Sequence, residues 1–425
     1  MKICMMTNTY LPHVGGVARS VSTFVDEYRR MGHEVLVVAP KLPGRTSKRV
    51  EAVVERVAAI QNFNGSDFSV RLPLAASLSS RLDEFAADIV HAHHPFLLGD
   101  TALRFASNRN IPVVFTHHTK YEDYVHYLPM ASAALRRAAM DLPTAYANLC
   151  DGVIAPSDSL ARLIRRRGVK TPMEVVPTGI DTEAFAKGDG ARFRRKFKLP
   201  AKAFVVGHVG RLAPEKNLPY LAESVAIFLQ KNTSAWFLVV GGGPSEEKMR
   251  EIFKKHGVDS RLILAGSHTG QSLHDAYSAM DVFAFSSRSE TQGLVIAEAM
   301  AAGAPVVALN ASGVREVVNT GKNGFLLPTS TRPAEFARQI QRLAANPKQL
   351  KQFSAAAVKT ADDFSRAHCA EKAIAFYERI RRATRRERLQ TAQNPWLALT
   401  ERIGVEWELL SRNARAIGTT LAAGR

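Results

Sequence analysis

From its second residue onward the chain alternates short apolar runs with longer amphipathic stretches, and this rhythm narrows the possible folds more than any other property of the sequence. KICMMTN leads into GVARSVSTFVDEYRRM and then HEVLVVA, which reads as a strand, a helix of period near 3.6 and a second strand. Strands joined through helices run parallel, because a hairpin turn would reverse the chain. The same phrasing predicts strands at Asp88 to His91, Val113 to Thr116, Gly152 to Ala155 and Met173 to Val176. Gly32, between the helix ending YRRM and the next strand, is placed to cap that helix at positive φ.

The rhythm breaks at residues 185 to 203, FAKGDGARFRRKFKLPAKA, where glycines, a proline and clustered charge read as a connector. It restarts with FVVGHVG, WFLVVGGG, RLILAG, DVFAFSS, APVVAL and GFLL. A chain of 425 residues is long enough for two cores of ordinary domain size. The expected class is α/β with two Rossmann-like doubly wound domains, residues 1–187 and 188–365, and a helical, basic end from about residue 366.

Composition removes several function classes. The segment MKICMMTNTYLPHVGG meets Pro12 and two glycines before an apolar signal segment can develop. No apolar run approaches the ~20 residues a spanning helix needs. Cys4, Cys150 and Cys369 lie far apart, without C-x-x-C or zinc-ligand spacing, which points to a reduced, cytoplasmic and metal-free protein. The formal net charge of +18 points to a polyanionic neighbour, nucleic acid, an anionic membrane or phosphorylated substrates, the plainer reading being an arginine-rich surface kept for solubility. A nucleic-acid reader should carry a recognisable module or aromatics interleaved with arginine, and the sequence has neither.

In doubly wound sheets ligands sit beyond the carboxyl ends of the strands, which directs attention to five loops. In TNTYLPHVGGV, Gly15 and Gly16 can bring bare backbone close to a phosphate or sugar, the plainer reading being a turn that needs glycine for steric reasons alone. VVFTHHTKYEDYVHY crowds His117, His118, Tyr121, Glu122, Asp123, Tyr124, His126 and Tyr127 behind a strand, a density best explained as the wall of a site. Adjacent histidines on an extended segment point to opposite faces, which disfavours a metal there. VGRLAPEKNL presents Arg211 and Lys216, a planar fork and a point charge suited to a diphosphate leaving group. VGGGP is the fourth loop. In RSETQGLVIAE, Glu290 precedes a helix whose first amides, near Gly293 and Leu294, suit an anion, and Glu298 lies about one turn inside it. Two acceptor-only carboxylates beside that terminus suit sugar and ribose hydroxyls. A plainer reading leaves Glu298 on the surface and Glu290 as a helix cap.

These loops resemble those of the retaining glycosyltransferases of family 4, which have the GT-B fold of two Rossmann-like domains facing across a cleft. Glu290 and Glu298 stand as that family's E-x7-E pair, and Arg211 with Lys216 stand where its members hold the donor diphosphate. By the same resemblance Gly16 belongs to the amino-terminal loop near the donor phosphate, and His118 is the histidine close to the transferred sugar. HHTKYEDYVHY with ETQGLV is similar to the bacterial diacylglycerol glucosyltransferases, the monoglucosyldiacylglycerol synthases, which implies UDP-glucose as donor and places Tyr121, Tyr124 and Tyr127 on the acceptor side. The region Leu264 to Gly270 leaves a GDP-sugar open. The implied reaction keeps the anomeric configuration and uses no cofactor and no metal, in keeping with the absence of Asp-x-Asp.

For a lipid-directed enzyme the charge has a destination in the anionic inner face of the cell membrane, bound peripherally. Arg162, Arg165, Arg166 and Arg167 are the expected contacts, with Arg136 and Arg137. Residues 366 to 425 carry 12 Lys or Arg against 6 Glu, with Trp396 and Trp407 at helix-compatible spacing. That end is expected either to lie in the interface or to pack back on the first domain. The rivals are a transferase of surface polysaccharide or lipopolysaccharide assembly with a glycan acceptor, and a nucleotide-sugar epimerase of the same fold, against which the E-x7-E pair and the THHT loop argue.

Overall fold

The computed structural model describes residues 1–13, 15–41, 47–60, 70–71, 76–120, 133–288, 290 and 292–391. The chain divides into two compact units, residues 1–178 with 369–425, and residues 179–368.

The first unit is built on strands β1 (Lys2–Met6), β2 (Glu34–Pro40) and β3 (Val54–Val57), a small antiparallel pair β4 (Ala59–Ile60) and β5 (Val70–Arg71), then β6 (Ile89–Ala92), β7 (Val113–Thr116), β8 (Gly152–Ala155) and β9 (Met173–Val175). Seven of them form a parallel sheet in the order β3-β2-β1-β6-β7-β8-β9. The period of two splits β1 between two cores. Cys4 and Met6 pack with Val38, Val90 and Phe115 on one face, and Ile3 and Met5 pack with Val37, Val114 and Ile154 on the other. The helix Gly16–Arg30 ends before Gly32, which takes φ +84° and donates its amide to the Arg29 carbonyl.

The second unit repeats the plan with β10 (Phe204–Val209), β11 (Ala235–Val240), β12 (Leu262–Leu264), β13 (Val282–Phe285), β14 (Val306–Leu309) and β15 (Gly324–Leu327), all parallel, in the order β12-β11-β10-β13-β14-β15. In both sheets the order reverses beside the first strand, at β1/β6 and at β10/β13, and a doubly wound sheet opens a binding crevice at that place.

The boundary falls at 178/179 and not at 187/188, as the charge run had suggested. Residues 179–187 are stitched to the second unit: Ile180 exchanges backbone hydrogen bonds with Phe364 and Arg366, Asp181 pairs with Arg366 at 3.1 Å, and Phe185 enters the core beside Tyr277. Within the charge run Arg192 pairs with Asp275, and Arg194 reaches Asp281 and the Ala279 carbonyl, so these two arginines serve the packing of the second unit. The far boundary lies at 368/369 in place of 365/366.

The last described helix, Arg366–Thr391, presents Cys369, Ala370, Ala373, Ile374, Phe376, Tyr377 and Ile380 to the core of the first unit. A Cβ at Gly152 would lie 2.9 Å from the Phe376 ring, so that glycine lets the helix approach β8. Tyr377 Oη lies 2.9 Å from Tyr28 Oη and 2.6 Å from His91 Nδ1, all buried. Tyr377→Phe is expected to cost about 1–3 kcal/mol, because it strands two buried polar partners. An unchanged urea midpoint would refute that. The packed stretch answers for the beginning of the basic end; Trp396 and Trp407 lie outside the described residues. The three cysteines are buried and form no disulfide with one another, and no described helix is long and apolar enough to cross a membrane.

Candidate active site

In the second unit the loops leaving β10 and β13 meet at the switch point. Ser286 Oγ donates to the carbonyls of Lys216 and Asn217 at 2.9 and 3.1 Å, Asn217 Nδ2 reaches the Ser286 carbonyl at 3.4 Å, and Ser287 Oγ reaches that of Glu215 at 3.4 Å. This stitching sets Lys216 Nζ 3.1 Å from Glu290 Oε2 and 5.8 Å from the centre of the Phe285 ring. Both partners are largely covered, at 21 and 16 % exposure of their side chains, so their attraction is screened less than that of a surface pair.

Arg211 lies differently. Its side chain is 63 % exposed and its guanidinium pairs with Glu215 one turn along the same loop, leaving it able to swing toward an anion at modest cost.

Glu290 Oε1 also accepts from the Gly293 amide at 3.5 Å, at the head of the helix Leu294–Ala301. It therefore lies against the head of that helix while pairing with Lys216, without capping a first-turn amide. Gly293 takes φ +71°, a conformation that turns the loop into the helix and that side chains resist. Glu298 is not on the surface: it is 2 % exposed and accepts from the buried Tyr277 hydroxyl at 2.7 Å. A buried carboxylate needs such donors.

The VGGGP glycines have a packing reason. A Cβ on Gly241 would stand 1.9 Å from the Gly210 carbonyl oxygen, and one on Gly243 would stand 2.5 Å from that of Leu212. Gly241 and Gly243 let the loop after β11 lie flat against the Arg211 loop, where the Leu212 amide donates to the Gly242 carbonyl and the Ser245 amide donates to that of Leu212.

In the first unit Gly16 opens its helix, and a Cβ there would meet nothing within 4 Å, so packing does not demand glycine at this position. His118 is 9 % exposed, beyond the end of β7, with Nε2 at 2.9 Å from His93 Nδ1. Tyr121, Tyr124 and Tyr127, with Glu122, Asp123 and His126, lie outside the described residues.

Around His118 the fold gathers residues that loop-by-loop reading passed over: His91, His93 and His94, from HAHHP at the end of β6. His91 Nε2 meets Thr116 Oγ1 at 2.6 Å, and the Asn8 amide donates to His94 Nδ1 at 3.1 Å. Asn8 also holds the loop after β6, accepting from the Leu98 amide and donating to the Phe96 carbonyl. Burial pushes His91 and His94 down to about 3, and burial, followed by the neighbouring imidazoles, holds His93 and His118 well below the ordinary histidine range. All four are neutral at pH 7. Three histidines in four residues behind a strand at the switch point were the available signal.

The basic contacts expected from sequence fall on the helix Asp158–Arg166, where Arg162, Arg165 and Arg166 are exposed and line a groove with Ala161, Met173 and Val175. Arg167 is half-buried and Arg137 exposed.

Residues 14–184 match the model of Glycosyltransferase Family 4, and residues 189–360 match Glycosyl transferases group 1. Alpha-monoglucosyldiacylglycerol synthase of Streptococcus pneumoniae is 30 % identical over 72 % of this chain and 71 % of its own length. GDP-mannose-dependent alpha-mannosyltransferase of Mycobacterium tuberculosis is 30 % identical over 77 % of this chain and 84 % of its own. Among solved structures, Anabaena HepE in complex with UDP aligns with a TM-score of 0.70 at 22 % identity, covering 89 % of this chain and all of that one.

Proposed function

Because this chain belongs to the glycosyltransferases of family 4, we propose that it transfers glucose from UDP-glucose to a lipid acceptor such as diacylglycerol, with retention of configuration and without a metal. The observation that carries the reading of the site is the Lys216–Glu290 pair at the β10/β13 switch point, with Arg211 on the same loop and Glu298 on the adjoining helix. Lys216 and Arg211 neutralise the departing diphosphate. The acceptor hydroxyl attacks from the side the diphosphate leaves and gives its proton to a departing phosphate oxygen, so no protein base is required. Glu290 accepts from the sugar hydroxyls and Glu298 from the ribose, with the amides near Gly293 and Leu294 facing the phosphate. On the first unit, Gly16 takes the phosphate side of the donor and His118 the transferred sugar. Tyr121, Tyr124 and Tyr127 take the acceptor.

The pneumococcal relative's name supports the lipid acceptor and glucose. Purified protein incubated with UDP-glucose and mixed micelles of diacylglycerol and anionic phospholipid is expected to yield a glucolipid by mass spectrometry. Donor hydrolysis without a glucolipid would leave a glycan acceptor, as in polysaccharide assembly, and would sink the lipid reading. The mycobacterial relative favours GDP-mannose as the second donor to try.

Peripheral binding to the inner leaflet completes the proposal. The exposed Arg162, Arg165 and Arg166 would meet lipid phosphates while Met173 and Val175 line the same groove. Replacing Arg165 and Arg166 by Gln is expected to weaken binding to phosphatidylglycerol vesicles by roughly thirtyfold, at about 1 kcal/mol per charge. Sedimentation with vesicles at two salt concentrations checks this, and equal binding by both proteins would remove the helix from the interface.

A further inference from the structure

The ring of His93 is almost completely buried and lies against His91, with ring centres 4.0 Å apart. On its other side it stacks on His118 at 5.2 Å and 25°, and His93 Nδ1 is 2.9 Å from His118 Nε2. His93 Nε2 is buried and has no hydrogen-bond partner among the described residues.

A hydrogen bond between two neutral imidazoles can be made in two ways. If His118 Nε2 carried the proton, His93 Nδ1 would accept it, and the His93 proton would sit on Nε2 as a buried donor with nothing to receive it. If His93 Nδ1 carries the proton, His93 Nε2 is left as a bare lone pair. Orphaned buried N–H groups are the rarer and costlier kind, so the second arrangement wins. His118 Nε2 then accepts, and the proton of His118 must lie on Nδ1.

We infer that His93 is a positioning residue that holds His118 as an Nδ1–H donor toward an oxygen of the bound sugar or phosphate. The inference rests on the reading of His118 as a substrate-facing group. Its geometry is braced from below: His91, against which His93 packs, is held by Thr116 on one nitrogen and by Tyr377 on the other. The donor character of His118 is set by a side chain on β6's loop that need not touch substrate.

The test compares three chains, His93→Leu, His93→Asn and His118→Ala, with the unaltered protein. Leucine fills the site without a donor, whereas the asparagine amide nitrogen can take the place of Nδ1. With histidine labelled in ¹⁵N, the unaltered protein is expected to show His118 protonated on Nδ1, and His93→Leu to show a mixture of tautomers. Glucolipid synthesis should fall roughly 10- to 10²-fold in kcat for His93→Leu with KM for donor little changed, as expected of lost orientation. His93→Asn should recover most of it. An Nε2-protonated His118 in the unaltered protein overturns the inference. So does full turnover in His93→Leu when His118→Ala has lost it. Full turnover in His118→Ala overturns the reading of His118 itself, and the positioning role with it.

Discussion

Lys216→Ala is expected to slow glucosyl transfer by about 10²–10³-fold, the loss found when one preorganised group that meets developing charge is removed. The ammonium lies on a loop pinned by Ser286 and Ser287 hydroxyls, so it costs little to hold in place as the diphosphate departs. Most of the loss should appear in kcat, because the charge it meets grows toward the transition state. Lys216→Arg should not restore the rate: a flat, longer fork cannot take the compact position 3.1 Å from Glu290 Oε2 without moving one of them. The alanine chain leaves the largely covered Glu290 without its cation, so a thermal melt must accompany the kinetics. A folded Lys216→Ala chain with turnover within threefold of the parent would remove Lys216 from the diphosphate site.

Acidification is expected to loosen the first unit well before the carboxylates titrate. His91 and His94 are held by burial at about 3 in the folded chain, against an ordinary value near 6.5 once unfolded. Above pH 6.5 both states are neutral at these positions and stability is undiminished. As pH falls below 6.5 the unfolded chain takes up protons that the folded chain refuses, and stability drops until the folded groups themselves titrate near 3. Each group costs about 1.4 kcal/mol per pH unit in that window. From pH 7 to pH 5.5 the two together should remove about 2–3 kcal/mol, and His93 and His118, shifted the same way, add to it. Hydrogen exchange of the Ile89–Ala92 amides, corrected for intrinsic rate, reads this locally. Protection unchanged at pH 5.5 would mean that these rings are not buried neutral.

The alternation of strand and helix is written in the residues themselves, which is why Val113–Thr116 and Gly152–Ala155 were placed to the residue and β6 to within one. The fold class follows from that alternation and is the one observed. What could not be read is anything that depends on residues far apart in sequence. Glu298 is 21 positions from the tyrosine whose hydroxyl it accepts from, although the helix carrying it, LVIAEAMA, is apolar on every side, and that was a signal for burial. VGGGP stands out as a loop behind a strand, yet what Gly241 and Gly243 answer to is the backbone of Gly210 and Leu212. The histidines of HAHHP were overlooked because they close a strand that alternation alone had already explained. Their meaning appears only when Asn8, Thr116 and Tyr377 arrive from three other parts of the chain.

The second unit is inserted into the sequence of the first, which resumes at Cys369. During synthesis the ribosome therefore delivers all of residues 179–368 before the helix that supplies Phe376, Tyr377 and Ile380. The usual order, in which the amino-terminal domain folds first as the chain emerges, is inverted for completion here. The nascent first sheet waits with one face only partly covered, by the helix Gly16–Arg30, and His91 short of its tyrosine partner until the final seventh of the chain emerges, and a message cut short after residue 368 is expected to yield one finished unit attached to one that lacks its closing helix.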